Sequence, residues 1–363
     1  MARMRLLALV LALAPGLAPS FQEWKQVEPG LELTFPADHG AHPGYRTEWW
    51  YLTGQVADED GRRFGFQFTV FRSTLAPGAA RAGDSPLRAR EVFAGHLALT
   101  DVVGGRTRFA ERLRRGGTAL ARASTDDLEL ALEDWTLARG SDGRLTLAAA
   151  DPAQAIGLEF TLVPEKPLVL HGERGYSQKG PEPGNASAYV SWTRLATTGA
   201  LRLDGRAFEV EGVAWFDHEF GSGVLPEGVQ GWDWFGLELD DGRELMLFHL
   251  RRPDGSATPF SAGTLVERDG STRALAPADF TIEPRGQWTS PRTQATYPAG
   301  WRLSVPGAGI ELVAAPLVDD CELEDRASTG VVYWEGPVAL TGTTTGRGYA
   351  ELTGYAGSMA GRF

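Results

Sequence analysis

The chain has 363 residues and a net charge of −12, with 42% hydrophobic and 23% charged residues. This composition excludes a disordered chain, a collagen and a coiled coil. The acidic balance excludes the basic face that nucleic acid requires and a polybasic membrane anchor. Forty-five glycines and 22 prolines are interleaved with 17 phenylalanines, 11 tryptophans and 8 tyrosines. Frequent turn residues between short aromatic runs predict an all-β protein.

The chain opens with Arg3 and Arg5, an apolar run from Leu6 to Ala14, then Pro15-Gly16 and small residues. This is the layout of a secretory signal peptide over 1–20, too short to span a bilayer. Export, most simply to a periplasm, is therefore expected. No integral membrane segment is expected after its removal, because no later apolar run reaches spanning length. Cys321 is the single cysteine, so it closes no intramolecular disulfide. Its acidic setting, Asp319-Asp320-Cys321-Glu322, predicts a raised thiol pKa and a structural role.

From Thr47 onward the pattern is strand-like. Glu48 to Thr53, an Asp58-Glu59-Asp60-Gly61 turn and Arg63 to Val70 form a predicted hairpin, with Phe64, Phe66 and Phe68 on one face at period two. Thr100 to Arg115 predicts a second, Trp135 to Leu147 a third, and Leu265 through Asp269-Gly270 a fourth. Gly172 to Gly184 is polar, glycine-rich and long for a connector, which marks a candidate functional loop. The first hairpin has an echo: Trp232-Asp233-Trp234-Phe235, Asp240-Asp241-Gly242-Arg243, then Leu245 to Phe248. The one-residue difference in spacing predicts a β-bulge. Two related units follow, 21–220 and 221–363, joined at Gly221-Ser222-Gly223. Each is long enough for an eight-stranded barrel that holds a small ligand.

Three clusters mix carboxylates or imidazoles with aromatic residues. The first contains Asp38, His39, His42, Tyr45, Arg46, Glu48, Trp49 and Trp50. The second is Trp215-Phe216-Asp217-His218-Glu219-Phe220, and the third Trp232-Asp233-Trp234. A carboxyl group surrounded by aromatic surface is desolvated and drifts toward its protonated form, and so can donate a proton near neutral pH. Singly, each tryptophan is equally a barrel-filling residue and each charge an ion-pair partner. His39, His42, Asp217, His218 and Glu219 are metal-ligand types, but no His-Glu-x-x-His spacing occurs, and no metal site is expected. Neither a dinucleotide fingerprint, a P-loop nor a Gly-x-Ser-x-Gly elbow is present, so neither a nucleotide cofactor nor serine-hydrolase chemistry is expected.

These segments carry a resemblance. Phe35 to Pro43, Arg46 to Gly54, Gly175-Tyr176-Ser177-Gln178-Lys179-Gly180-Pro181, Asp217 to Gly221 and Gly231 to Leu237 are similar to the motifs of the AttH / carotenoid 1,2-hydratase (CrtC, hydroxyneurosporene synthase) family. The resemblance implies two tandem lipocalin-like antiparallel β-barrels and a hydrophobic, isoprenoid or lipid-like ligand. One branch hydrates the terminal double bond of acyclic carotenoids without a cofactor; other members accompany ABC-type transporter components. Glu219 and Phe220 stand where the hydratases often have Asn and Trp. No Asp stands near Leu247-Phe248-His249, where the hydratases carry one. Both departures favour the AttH branch.

Three readings result. In a cofactor-free hydratase, Asp217 or Asp233 donates a proton to a C=C bond, His218 orients it or activates water, Glu48 assists, and tryptophans face the cation. The ligand-binding set is His39, Tyr45, Trp49, Trp50, Tyr176, Trp215, Trp232 and Trp234. In a periplasmic accessory of an ABC-type transporter, the same residues only bind. In a structural reading, they cement two barrels, with carboxylates held by arginine.

Overall fold

A computed structural model of the protein describes residues 23–78, 89–182 and 184–361; the signal-peptide reading of 1–20 lies outside them. Among the described residues the regular structure is strand, with two short 3-10 turns at Ala37–His39 and Pro306–Ala308. No helix in this part is long and apolar enough to cross a membrane.

Thirteen strands build the first sheet: β1 (Thr47–Ala57), β2 (Arg63–Thr74), β3 (Glu91–Asp101), β4 (Arg106–Arg115), β5 (Ala121–Ala123), β6 (Glu129–Leu132), β7 (Trp135–Arg139), β8 (Leu145–Asp151), β9 (Ile156–Pro164), β10 (Val169–Leu170), β11 (Tyr176–Gln178), β12 (Ala186–Leu203) and β13 (Arg206–Gly221). Ten build the second: β14 (Gly231–Leu239), β15 (Glu244–Arg251), β16 (Ala262–Val266), β17 (Thr272–Leu275), β18 (Thr281–Pro284), β21 (Trp301–Val305), β22 (Ile310–Pro316), β23 (Glu322–Asp325), β24 (Val331–Gly342) and β25 (Gly346–Leu352). The remaining pair, β19 (Trp288–Thr289) and β20 (Thr296–Tyr297), is a separate ribbon. All pairings of the two hairpins that echo each other are antiparallel, and the sheets curl into a nearly closed barrel and a half-barrel.

Each sheet has an apolar inner face. Alternate residues of β1 and β2, including Trp50, Leu52, Phe64, Phe66 and Phe68, fill the first core, as side-chain alternation along a strand requires. Phe235, Leu237, Leu245, Leu247 and Trp301 fill the second. The hairpins β1–β2 and β14–β15 do echo each other, but no bulge separates them. Registers run without a shift from Thr47↔Ser73 to Ala57↔Arg63 and from Gly231↔Arg251 to Glu238↔Glu244. The two turns are equally long, 58–62 and 239–243, so the difference in spacing lies only in where the aromatic residues fall along each strand.

The outer faces of β1, β2, β12 and β13 pack on those of β14, β15, β24 and β25. A third apolar cluster, with Tyr51, Tyr189, Trp215, Trp234, Phe248 and Tyr349, lies between them. One end of this seam is closed by Gln55, whose Nε2 donates to Val338 O and Gly348 O, each at 2.8 Å. Beside it, a Cβ on Gly65 would stand 2.7 Å from both Pro337 Cγ and the Tyr349 hydroxyl, so only glycine permits this approach. Buried Glu244 ties the sheets again, taking Lys166 Nζ at 2.8 Å and Arg194 Nε at 2.5 Å. Cys321 is buried in the seam, its Sγ 3.1 Å from Thr107 Oγ1 of the other sheet. Burial, and only secondarily the neighbouring acids, pushes its thiol up to about 12. The predicted Gly172–Gly184 loop carries the short strand β11, which pairs with β12 and directs Lys179 into the seam.

Candidate functional site

The seam encloses a cavity of about 160 Å³. Its walls are aromatic: Trp49, Tyr51, Phe71, Trp232, Trp234 and Phe248. Five acidic residues, Asp217, Glu219, Asp325, Glu335 and Glu351, also line it, with Lys179 at one side. Lys179 Nζ stands 4.0 Å from the Phe248 ring centroid and 3.4 Å from Glu219 Oε1.

Strand alternation decides which motif residues arrive here. On β13, Trp215, Asp217 and Glu219 lie on the seam side, whereas Phe216, His218 and Phe220 point the other way. On β1, Trp49 and Tyr51 face the seam, whereas Glu48 and Trp50 face the barrel. On β14, Trp232 and Trp234 face it and Asp233 does not. The expected partnership of Asp217 with His218 is therefore corrected. Adjacent residues of one strand are held on opposite sides of the sheet, and His218 cannot orient Asp217.

Asp217 is 4% exposed and fully bonded on its back face. Oδ1 accepts the Ser191 hydroxyl and Trp215 Nε1 at 2.6 Å; Oδ2 accepts the Tyr189 hydroxyl at 2.8 Å, which itself accepts Trp234 Nε1 at 3.0 Å. Burial raises its pKa to about 7; the three donors oppose the rise and nearby Glu219 adds to it. Glu335 and Glu351 are directly opposite each other on β24 and β25. Two carboxylates so placed cannot both ionise cheaply. Burial first, and the Glu351 charge second, hold Glu335 well above the usual carboxylate range. Burial, followed by the charges of Asp217 and Glu219 against an opposing Trp232 hydrogen bond, raises Glu351 to about 7. Tyr51 donates to Glu335 Oε1 at 2.7 Å, while the buried Oε2 has no partner among the described residues. The cavity is thus an aromatic chamber in which burial draws Asp217, Glu335 and Glu351 toward the carboxylic-acid form.

Glu48, expected as a catalytic group, sits instead in a polar knot at the barrel mouth. Its Oε1 lies 2.7 Å from His42 Nδ1 and 2.9 Å from His218 Nε2, and its Oε2 accepts Arg72 Nε at 2.8 Å and the His42 amide at 2.9 Å. Burial would raise this carboxyl, but the His218 and His42 hydrogen bonds with the charges of His218 and Arg72 outweigh it and hold it well below the usual range. Glu48 is thus ionised and unsuited to donate a proton. His42, Glu48 and His218 place one ligand atom each within 4.8 Å of one another. The Arg72 guanidinium already neutralises Glu48, and a metal ion would compete with it. A second such group, His96, Glu111 and Asp325, joins β3 and β4 to the end of β23; His96 Nε2 is 3.1 Å from Asp325 Oδ2 and Nδ1 is 2.8 Å from the Tyr333 hydroxyl.

The other expected ligand residues divide. Trp49, Trp232 and Trp234 line the cavity and Trp215 backs Asp217. Trp50 is barrel core, stacked on His218 at 4.9 Å. His39 packs against Phe35 and Trp192, and burial lowers its pKa to about 4. Tyr45 packs on Phe220. Asp233 is paired with Arg251 at 3.2 Å and Tyr355 at 3.1 Å. Tyr176 lines a second cavity, of about 300 Å³, between the Gly172 loop and β15–β17. Tyr189, Glu335, Glu351 and Lys179 were not among the expected site residues. Tyr333-Trp334-Glu335 carries the same aromatic–carboxylate mixture that singled out the other clusters, and was the available signal.

The profile of the family described as AttH-like matches residues 26–355. A solved AttH protein of Nitrosomonas europaea is 38% identical, covers 91% of this chain and 99% of its own, and superposes with a TM-score of 0.83. Kievitone hydratase of Nectria haematococca shares the fold at 13% identity, with 93% and 97% covered and a TM-score of 0.68. CghA, solved with Sch210972, is 14% identical, with 86% and 89% covered and a TM-score of 0.52. No curated protein matches the chain.

Proposed function

The chain belongs to the AttH-like family, with its lipocalin-like fold, and from that premise we propose that it binds an apolar unsaturated molecule between its two sheets and hydrates a C=C bond by carboxylic-acid protonation, without a cofactor. One observation carries this reading: Asp217 is buried against an aromatic chamber with only neutral hydrogen-bond donors on it, and burial raises its pKa to about 7. Protonation of an alkene needs an acid that is neutral, close and shielded from bulk water. Asp217 gives its proton to one alkene carbon and becomes a carboxylate. The cation left on the other carbon is faced by the Trp49, Trp232 and Trp234 rings, whose π faces are attractive to positive charge. Water held by the free Oε2 of protonated Glu335 adds to that cation, and its surplus proton returns to Asp217. Atoms and charge balance over the cycle. The name of kievitone hydratase, a protein of this fold, agrees with such chemistry.

Export to the periplasm belongs to the same reading, through the apolar run of 1–20. The test is incubation of the purified protein with lycopene in detergent and ¹⁸O-labelled water, followed by mass spectrometry. Incorporation of labelled water, reduced by about 10²–10⁴-fold in Asp217→Asn, is expected. Lycopene that binds and is recovered unchanged would replace the hydratase by a carrier, such as an accessory of an ABC-type transporter. No binding of lycopene or of any lipid co-extracted with the protein would end both.

A further inference from the structure

Behind Asp217 the hydrogen bonds continue. Ser191, directly opposite Asp217 on β12, donates to its Oδ1. His171 Nε2 lies 2.7 Å from the same Ser191 hydroxyl, and His171 Nδ1 lies 2.8 Å from Thr264 Oγ1 on β16. Ser191 and His171 are essentially fully buried. His171 and Thr264 both line the second cavity, whereas Asp217 lines the first. The chain Thr264–His171–Ser191–Asp217 therefore runs unbroken from one cavity to the other. Every member has an oxygen or nitrogen that can both accept and donate.

We propose that His171 and Ser191 form a proton relay that loads Asp217 from water in the second cavity, behind the bound ligand. The hydration cycle returns its own proton to Asp217, so the relay serves the other case, a ligand that has closed over an ionised Asp217. An apolar ligand that fills the seam shuts Asp217 off from solvent on its front face, and only the back face remains wired. A proton from water in the second cavity enters through the Thr264 hydroxyl onto His171 Nδ1. His171 releases the proton on Nε2 to Ser191, and Ser191 passes its own to Asp217 Oδ1. A hydronium ion becomes water, a carboxylate becomes a carboxylic acid, and the imidazole returns neutral in its other tautomer. Burial, aided by the Lys179 charge, lowers the His171 pKa to about 3, so the ring stays neutral and works by exchanging tautomers.

The wiring fixes the two end states. With Asp217 ionised, Ser191 donates to it, and His171 carries its proton on Nε2. With Asp217 protonated on Oδ1, the donor order reverses, and His171 carries its proton on Nδ1. Other titratable or charged groups around the relay are Glu219 and Lys179, Glu351 and Glu335 across the seam, and Tyr51 and Tyr189. Of these, Lys179 is the one whose charge acts on His171 itself.

The relay as a loading path rests on the acid-catalysis reading; its wiring is tested without a ligand. The whole protein is labelled with ¹⁵N-histidine, and two-bond ¹H–¹⁵N correlations are recorded from acid to alkaline pH around 7. The signal of His171, one of six histidines, is identified by its loss in His171→Gln. The expected result is a neutral ring that changes from Nδ1–H to Nε2–H with the same midpoint as the Asp217 carboxyl carbon. Ser191→Ala and Asp217→Asn should each lock one tautomer while the fold persists. A His171 that keeps one tautomer across the pH range, or becomes imidazolium there, overturns the relay. An intact tautomer change with no labelled water in lycopene overturns only the hydratase reading. Labelled product without a tautomer change overturns only the relay.

Discussion

Glu48 and Asp217 sit about equally deep on two sides of one sheet, and they are driven in opposite directions. Glu48 is ionised because a guanidinium, two imidazoles and an amide converge on it. Asp217 meets only neutral donors and has further acids across the cavity, so burial wins. Depth alone does not set protonation; the sign of what surrounds the carboxyl does. The barrel-mouth knot spends its charge on holding the 38–46 segment against β1, β2 and β13. The seam draws Asp217, Glu335 and Glu351 toward the neutral form, from which a proton can be given.

Substitutions break this contrast unequally. Arg72→Met should have the largest effect on stability, about 3–5 kcal/mol in urea unfolding, because it strands a buried carboxylate. Next comes a pH effect of the other site. Asp217 has a folded pKa of about 7, raised above the roughly 3.9 of an unfolded chain. Between those values the folded state holds a proton that the unfolded state has shed, so stability is present at low pH and falls as pH rises. Asp217→Asn should remove a share of that fall on the order of 2–4 kcal/mol, read as a flatter urea midpoint over about pH 4–7. Glu48 has the opposite sign: its depressed pKa gives stability that is present above about pH 4.3 and lost as pH falls. Glu48→Gln should cost about 1.5–3 kcal/mol at neutral pH and flatten the acid limb instead. Were both variants to tilt the pH profile in the same direction, the contrast would be wrong. The smallest change is Trp234→Phe, which takes one donor from the Tyr189 hydroxyl and should cost about 1 kcal/mol of thermal stability.

Much of the architecture was legible in the chain. The Asp-Gly turns, the alternating phenylalanines at 64, 66 and 68, and the repeated hairpin all report local chemistry that strands impose. The site was half legible. The clustering of acids with tryptophans points to Asp217, Trp49, Trp232 and Trp234, but residues adjacent in a strand are not neighbours across it. Period two assigns Asp217 and His218 to opposite faces, as it does Trp232 and Asp233, and this was readable from the strand pattern itself. Glu335 and Glu351 form a pair only through the β24–β25 register, and Ser191 meets Asp217 only through that of β12–β13. His171 follows the short strand β10 and is held by its amide to Tyr189 O. Such contacts depend on long-range pairing that no local motif encodes.

Cys321 supplies a chemical clock. It is the single thiol of the chain, is wholly buried, and is bonded across the seam to Thr107. A maleimide can reach it only when the two sheets part there. Its labelling half-life therefore times the breathing of the seam without any added probe. A ligand that grips both sheets should stop that clock, and one held by a single sheet should leave it running.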